Sequence, residues 1–75
     1  MNLQVGDVVM IDLPRNLKHE KIYAYNRAIG RVSELSKQDA LIEFFVYDNE
    51  RFPLSQLVHI DLEDHVHAYS NQTNY

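Results

Sequence analysis

Apolar and polar positions alternate along the chain in short blocks with the two-residue period of half-buried strands. Val8-Val9-Met10-Ile11 is rich in β-branched side chains and follows the turn dipeptide Gly6-Asp7, which predicts a first strand. Leu13-Pro14 ends it, because proline lacks the N–H that a ladder requires. A long polar and aromatic loop follows. Ala28 to Glu34 resumes the extended pattern, with Gly30 allowing a close backbone approach or a sharp bend, and Ser36 to Asp39 reads as a polar turn into the next strand. In Ala40–Val46, Ala40, Ile42, Phe44 and Val46 share one face, while Leu41, Glu43 and Phe45 share the other. An exposed Phe45 beside Leu41 makes an apolar patch, either covered by the long loop or the tail or left as a contact surface.

Tyr47 to Glu50 supplies a further turn, Arg51-Phe52 a very short strand, Pro53 to Leu57 a single helical turn, and Val58 to Leu62 the last strand. The rival reading is a helix over 54–62, but it falls short of the roughly 12 to 15 residues that make a helix stable alone. Five short strands, one long first loop and one helical turn before the last strand predict an all-β fold: a small SH3-like barrel over residues 1–62 and a polar C-terminal tail over 63–75.

At 75 residues there is room for one small core, which rules out a two-domain enzyme. With 45% hydrophobic and 24% charged residues the composition is that of a globular protein, outside the disordered and collagen-like classes. No cysteine is present, so neither a disulfide nor a thiolate zinc clamp can assist a chain that buries only about 60% of its unfolded surface. Cysteine-free composition, an N-terminus without a signal-peptide pattern and no apolar run near the roughly 18 residues of a membrane span lead us to expect a soluble, cytoplasmic protein.

The order Gly6-Asp7-Val8-Val9, Ile29-Gly30-Arg31-Val32, Ala40-Leu41-Ile42-Glu43-Phe44 and Phe52-Pro53-Leu54-Ser55-Gln56-Leu57 resembles KOW-type and related SH3-like proteins. Phe52 to Leu57 is also similar to small photosynthetic accessory proteins of this fold, the ferredoxin-docking S subunit among them. The resemblance covers about residues 5 to 62 and implies a small barrel whose long first loop docks ligands. Nucleic-acid binding is the common KOW role, but the acidic overall charge and the long loop before Gly30 depart from that pattern.

Charge sharpens the picture. The net charge of −4 divides into +4 between Leu13 and Arg31, where five cations face only Glu20, and −8 over the rest of the chain. Arg15, Lys18, Lys21, Tyr23, Tyr25, Arg27 and Arg31 are therefore the candidate partner-binding residues: cations to neutralise carboxylates or phosphates, tyrosine rings to fill an interface or stack on bases. An acidic protein surface is favoured over nucleic acid, since the −8 remainder repels a polyanion while one patch can still steer an acidic protein. The competing reading is a solvated loop whose Ile22 and tyrosines merely cap the fold. A small regulator encoded by a mobile element and self-association through Leu41, Phe45 and a strand edge are further readings.

His65-x-His67 with Asp61, Glu63 and Asp64 has the residue types of a metal site but no specific spacing, so no metal or cofactor is expected there. His59 is placed in the last strand, half buried. The chain holds no G-x-S-x-G elbow, phosphate-binding glycine loop or H-E-x-x-H helix, and Asp48 and Glu50 read as turn residues. A barrel this small is expected to lack a deep cavity of several hundred Å3. The expectation is a noncatalytic interaction module.

Overall fold

The computed structural model describes residues 2–60. Gly6 adopts φ +98°, a left-handed conformation that a side chain would resist, and its N–H donates to the Val32 carbonyl at 2.8 Å. Asp7 closes the turn by accepting from the Gln4 N–H at 2.8 Å. The chain then enters β1 (Val8–Ile11), followed by β2 (Ile29–Leu35), β3 (Asp39–Glu43), β4 (Glu50–Pro53) and β5 (Leu57–His59).

All pairings are antiparallel, in the order β4-β3-β2-β1-β5. The inner face carries the core: Val9 and Ile11 from β1, Val32 from β2, Ala40 and Ile42 from β3, Phe52 from β4 and Leu57 from β5, joined by Leu3 and Leu13. Gly30 faces this layer opposite Val9, where a Cβ would lie 2.5 Å from Ile42 Cγ2 and 2.6 Å from the Glu43 carbonyl oxygen. Glycine is what lets β2 and β3 approach there, the close contact expected from the sequence. The Ser36–Asp39 turn also forms as expected, with the Ser36 hydroxyl donating to Asp39 Oδ1 at 2.9 Å.

The expected barrel does not close. β4 and β5 are the two edges of an open sheet and are not hydrogen-bonded to each other. Pro53, the last residue of β4, has no N–H to give, and the 3-10 turn Leu54–Gln56 begins at once. β5 is only three residues long and its pairing is with β1. The fold is thus a small, mostly β domain with a five-stranded antiparallel sheet, and neither the SH3-like barrel nor the closed KOW-type barrel describes it. Short edges, one ending in proline, limit unwanted pairing with other chains.

Several strand boundaries also move. β3 stops at Glu43 instead of Val46, and Val46 lies exposed. β5 starts at Leu57, and the 63–75 tail, with His65 and His67, lies outside the described residues. The long loop contains two 3-10 helices, Arg15–Leu17 and Lys21–Tyr25. Among the described residues no helix is long and apolar enough to cross a membrane.

Candidate functional site: a basic loop clamped to the sheet

Residues 12–28 leave β1 and return to β2, and their backbone is tied down at both ends. Pro14, at φ −67°, starts the first 3-10 helix. At the far end the Arg27 N–H donates to the Ile11 carbonyl and the Ile11 N–H to the Ala28 carbonyl, both at 2.8 Å. Asn26 Oδ1 accepts from the Leu13 N–H at 2.9 Å, joining the two stems across the loop. Arg27 is the one non-glycine residue at positive φ among those described, at 72°.

Tyr25 anchors the loop from the side. Its ring centroid lies 5.1 Å from that of Phe44, 5.2 Å from Tyr47 and 5.6 Å from Phe52, in tilted and edge-on arrangements that suit aromatic quadrupoles. Its hydroxyl donates to the Asp48 carbonyl at 3.1 Å. Partial burial pushes the Tyr25 phenol above its ordinary range, and the negative charges of Glu50 and Asp48 add to the effect. Tyr23 and Ile22 also pack against the core. The tyrosines therefore help hold the loop in place, and the Tyr25 ring is engaged by three aromatic neighbours.

The cations behave differently. Arg15, Lys18, Lys21 and Arg27 are all exposed, and among the described residues none of them forms a salt bridge. Arg31 stands apart, in β2, with its Nη1 donating to the Gly6 carbonyl at 2.8 Å. The seven sequence candidates are thus split: four free cations on the loop, two packed tyrosines beneath it, and Arg31 on the outer face of the sheet.

That outer face holds residues the sequence reading did not assemble. Val8, Ile29, Arg31, Glu43 and Phe45 line an open groove of about 460 Å3, which Gly30 and the core-packed Phe44 also border. Its volume is in the range the sequence reading held out of reach, though it is a surface trough and not a deep cavity. Leu41 does not share it. Leu41 pairs with Arg51, whose guanidinium reaches Glu34 at 3.0 Å and Asp39 at 3.1 Å. His59 is exposed in β5, with Nε2 3.6 Å from Asp7. The signal for the groove was the outward period of β2 and β3, but joining Ile29 to Phe45 needs the strand register. No family model, no curated protein and no solved structure matches the chain.

Proposed function

We propose that this protein is a noncatalytic interaction module that docks an acidic surface of a larger cytoplasmic protein through Arg15, Lys18, Lys21 and Arg27. The observation that carries the reading is Arg27. A left-handed backbone costs an L-residue roughly 1–2 kcal/mol, which glycine would avoid. Its N–H bond to the Ile11 carbonyl would be available to any residue but proline, and among the described residues the guanidinium forms no salt bridge. Strained positions of this kind gather at functional sites. A loop whose backbone is already held spares the cost of ordering that backbone on binding, and its cations steer an oppositely charged partner.

Nucleic acid is the second reading, and the aromatic packing weighs against it. Single-stranded ligands stack on free ring faces, whereas the Tyr25 ring is taken up by Phe44, Tyr47 and Phe52. Fluorescence anisotropy with a labelled polyglutamate peptide and with oligonucleotides of equal length separates the two. The expected result is salt-sensitive binding of the acidic peptide, abolished in the Lys18→Glu, Lys21→Glu, Arg27→Glu triple variant. Preference for the oligonucleotide would transfer the loop to nucleic acid. Indifference of both probes to the triple variant would overturn the docking reading altogether.

A further inference from the structure

Arg31 and Glu43 are direct partners across the β2–β3 ladder, yet among the described residues neither forms a salt bridge with the other or with any group. Arg51, on the same face, takes two carboxylates. Phe45, two residues past the end of β3, lines the same groove as Ile29. Phe45 is fully exposed and Ile29 is 58% exposed, so the groove presents two charges of opposite sign and two apolar side chains.

We propose that two chains pack these faces together about a two-fold axis running along the strands between β2 and β3. That operation carries β2 of one copy over β3 of the other. Arg31 then faces Glu43 of the second copy and Phe45 faces its Ile29, and both contacts occur twice because a two-fold interface is self-complementary. Facing sheets lie about 10 Å apart, a gap that an arginine and a glutamate can bridge. The groove is neutral, holding one cation and one anion, so it resists neither copy despite the chain's net charge of −4. A patch this small falls below the roughly 1,200 Å2 of a stable interface, so the dimer is weak and concentration-dependent. It uses the face opposite the core and is independent of the basic loop.

Sedimentation velocity of the full chain from about 10 µM to about 1 mM tests it. The wild type is expected to move from monomer to dimer, and Phe45→Glu to lower the association constant by about tenfold or more. Arg31→Glu and Glu43→Arg are each expected to remain monomeric alone. Mixed together they should associate, because the heterodimer restores both ion pairs. Circular dichroism of each variant confirms folding, which matters for Arg31→Glu because it also loses the bond to Gly6. A wild type that stays monomeric at every concentration overturns the proposal and gives the groove to another occupant. So does a dimer unaffected by Phe45→Glu, or a mixture that fails to associate. The Lys18, Lys21, Arg27 triple variant should dimerise normally, so failure here and failure of the docking reading are separable.

Discussion

The two faces of the sheet are finished in opposite ways. On the inner face the apolar side chains Val9, Ile11, Val32, Ile42 and Phe52 are sealed, and loop 12–28 is pinned over the strand ends by Asn26, Tyr25 and the backbone bonds of Arg27 and Ala28. On the outer face Ile29 and Phe45 stand in solvent beside Arg31 and Glu43. The loop shows how one segment serves two ends: its rings and backbone turn inward and bind it to the core, while its cations stand exposed and, among the described residues, form no salt bridge. Stability and the proposed binding therefore rest mostly on different residues of one loop, with Arg27 alone in both sets, and substitutions can separate them.

The largest effect belongs to the inner face. Gly30→Ala puts a Cβ 2.5 Å from Ile42 and 2.6 Å from the Glu43 carbonyl, and a backbone oxygen cannot step aside as a flexible side chain can. Such overpacking is expected to cost about 2–3 kcal/mol, read as a lower urea midpoint at unchanged slope. An unaffected midpoint would mean that β2 and β3 are not so closely held. Next comes the loop's own clamp. Asn26→Ala leaves the part-buried Leu13 N–H without its partner and should cost about 1–2 kcal/mol. It should also speed amide exchange across 12–28 ahead of the core strands.

Much of the inner face was legible in the sequence, because it depends on neighbours. Val8–Ile11 is a β-branched run bounded by a Gly-Asp turn and a proline, and it forms the strand expected. Gly30, the Ser36–Asp39 turn and the 3-10 turn at Leu54–Gln56 likewise follow from local chemistry. What failed depends on partners distant in sequence. The alternation of β3 continues through Val46, but in register Val46 would pair with Ala28, whose N–H is given to Tyr25 and whose carbonyl accepts from Ile11. The ladder has nothing left to bond there. Barrel closure failed for the same reason: alternation tells which face is buried, whereas edge pairing depends on whether β4 and β5 retain free N–H groups and length. The free cations were visible as a charge run; the role of Tyr25 as a clamp was not, since Phe44, Tyr47 and Phe52 lie about 20 to 30 positions away in sequence.

A third substitution sets stability against binding at one residue. Arg27→Gly relieves the left-handed backbone at φ 72° and should stabilise the fold by about 1 kcal/mol, less whatever flexibility glycine adds to the unfolded chain. The same change removes a free cation, so affinity for the acidic peptide should fall severalfold while the melting temperature rises. Opposite signs in the two measurements are the expected outcome. A fall in both would show that the guanidinium supports the fold after all.

The finest separation is within Tyr25. Its pKa is raised above 10.0 by partial burial and by the charges of Glu50 and Asp48, so the folded chain holds this proton more tightly than the unfolded chain does. The sign follows from linkage: the contribution is present in full below pH 10 and is lost as pH rises through the folded-state pKa. Ionisation also ends the hydrogen bond to the Asp48 carbonyl, since a phenolate cannot donate. Tyr25→Phe keeps the ring among Phe44, Tyr47 and Phe52 but has no proton to lose. Denaturant midpoints of both chains from pH 8 to about 11 should therefore run parallel at first and then converge or cross as the wild type weakens. Groups common to both chains cancel in the difference. Parallel curves throughout would place the hydroxyl in water, and would leave the ring as the only part of the Tyr25 side chain that holds the loop.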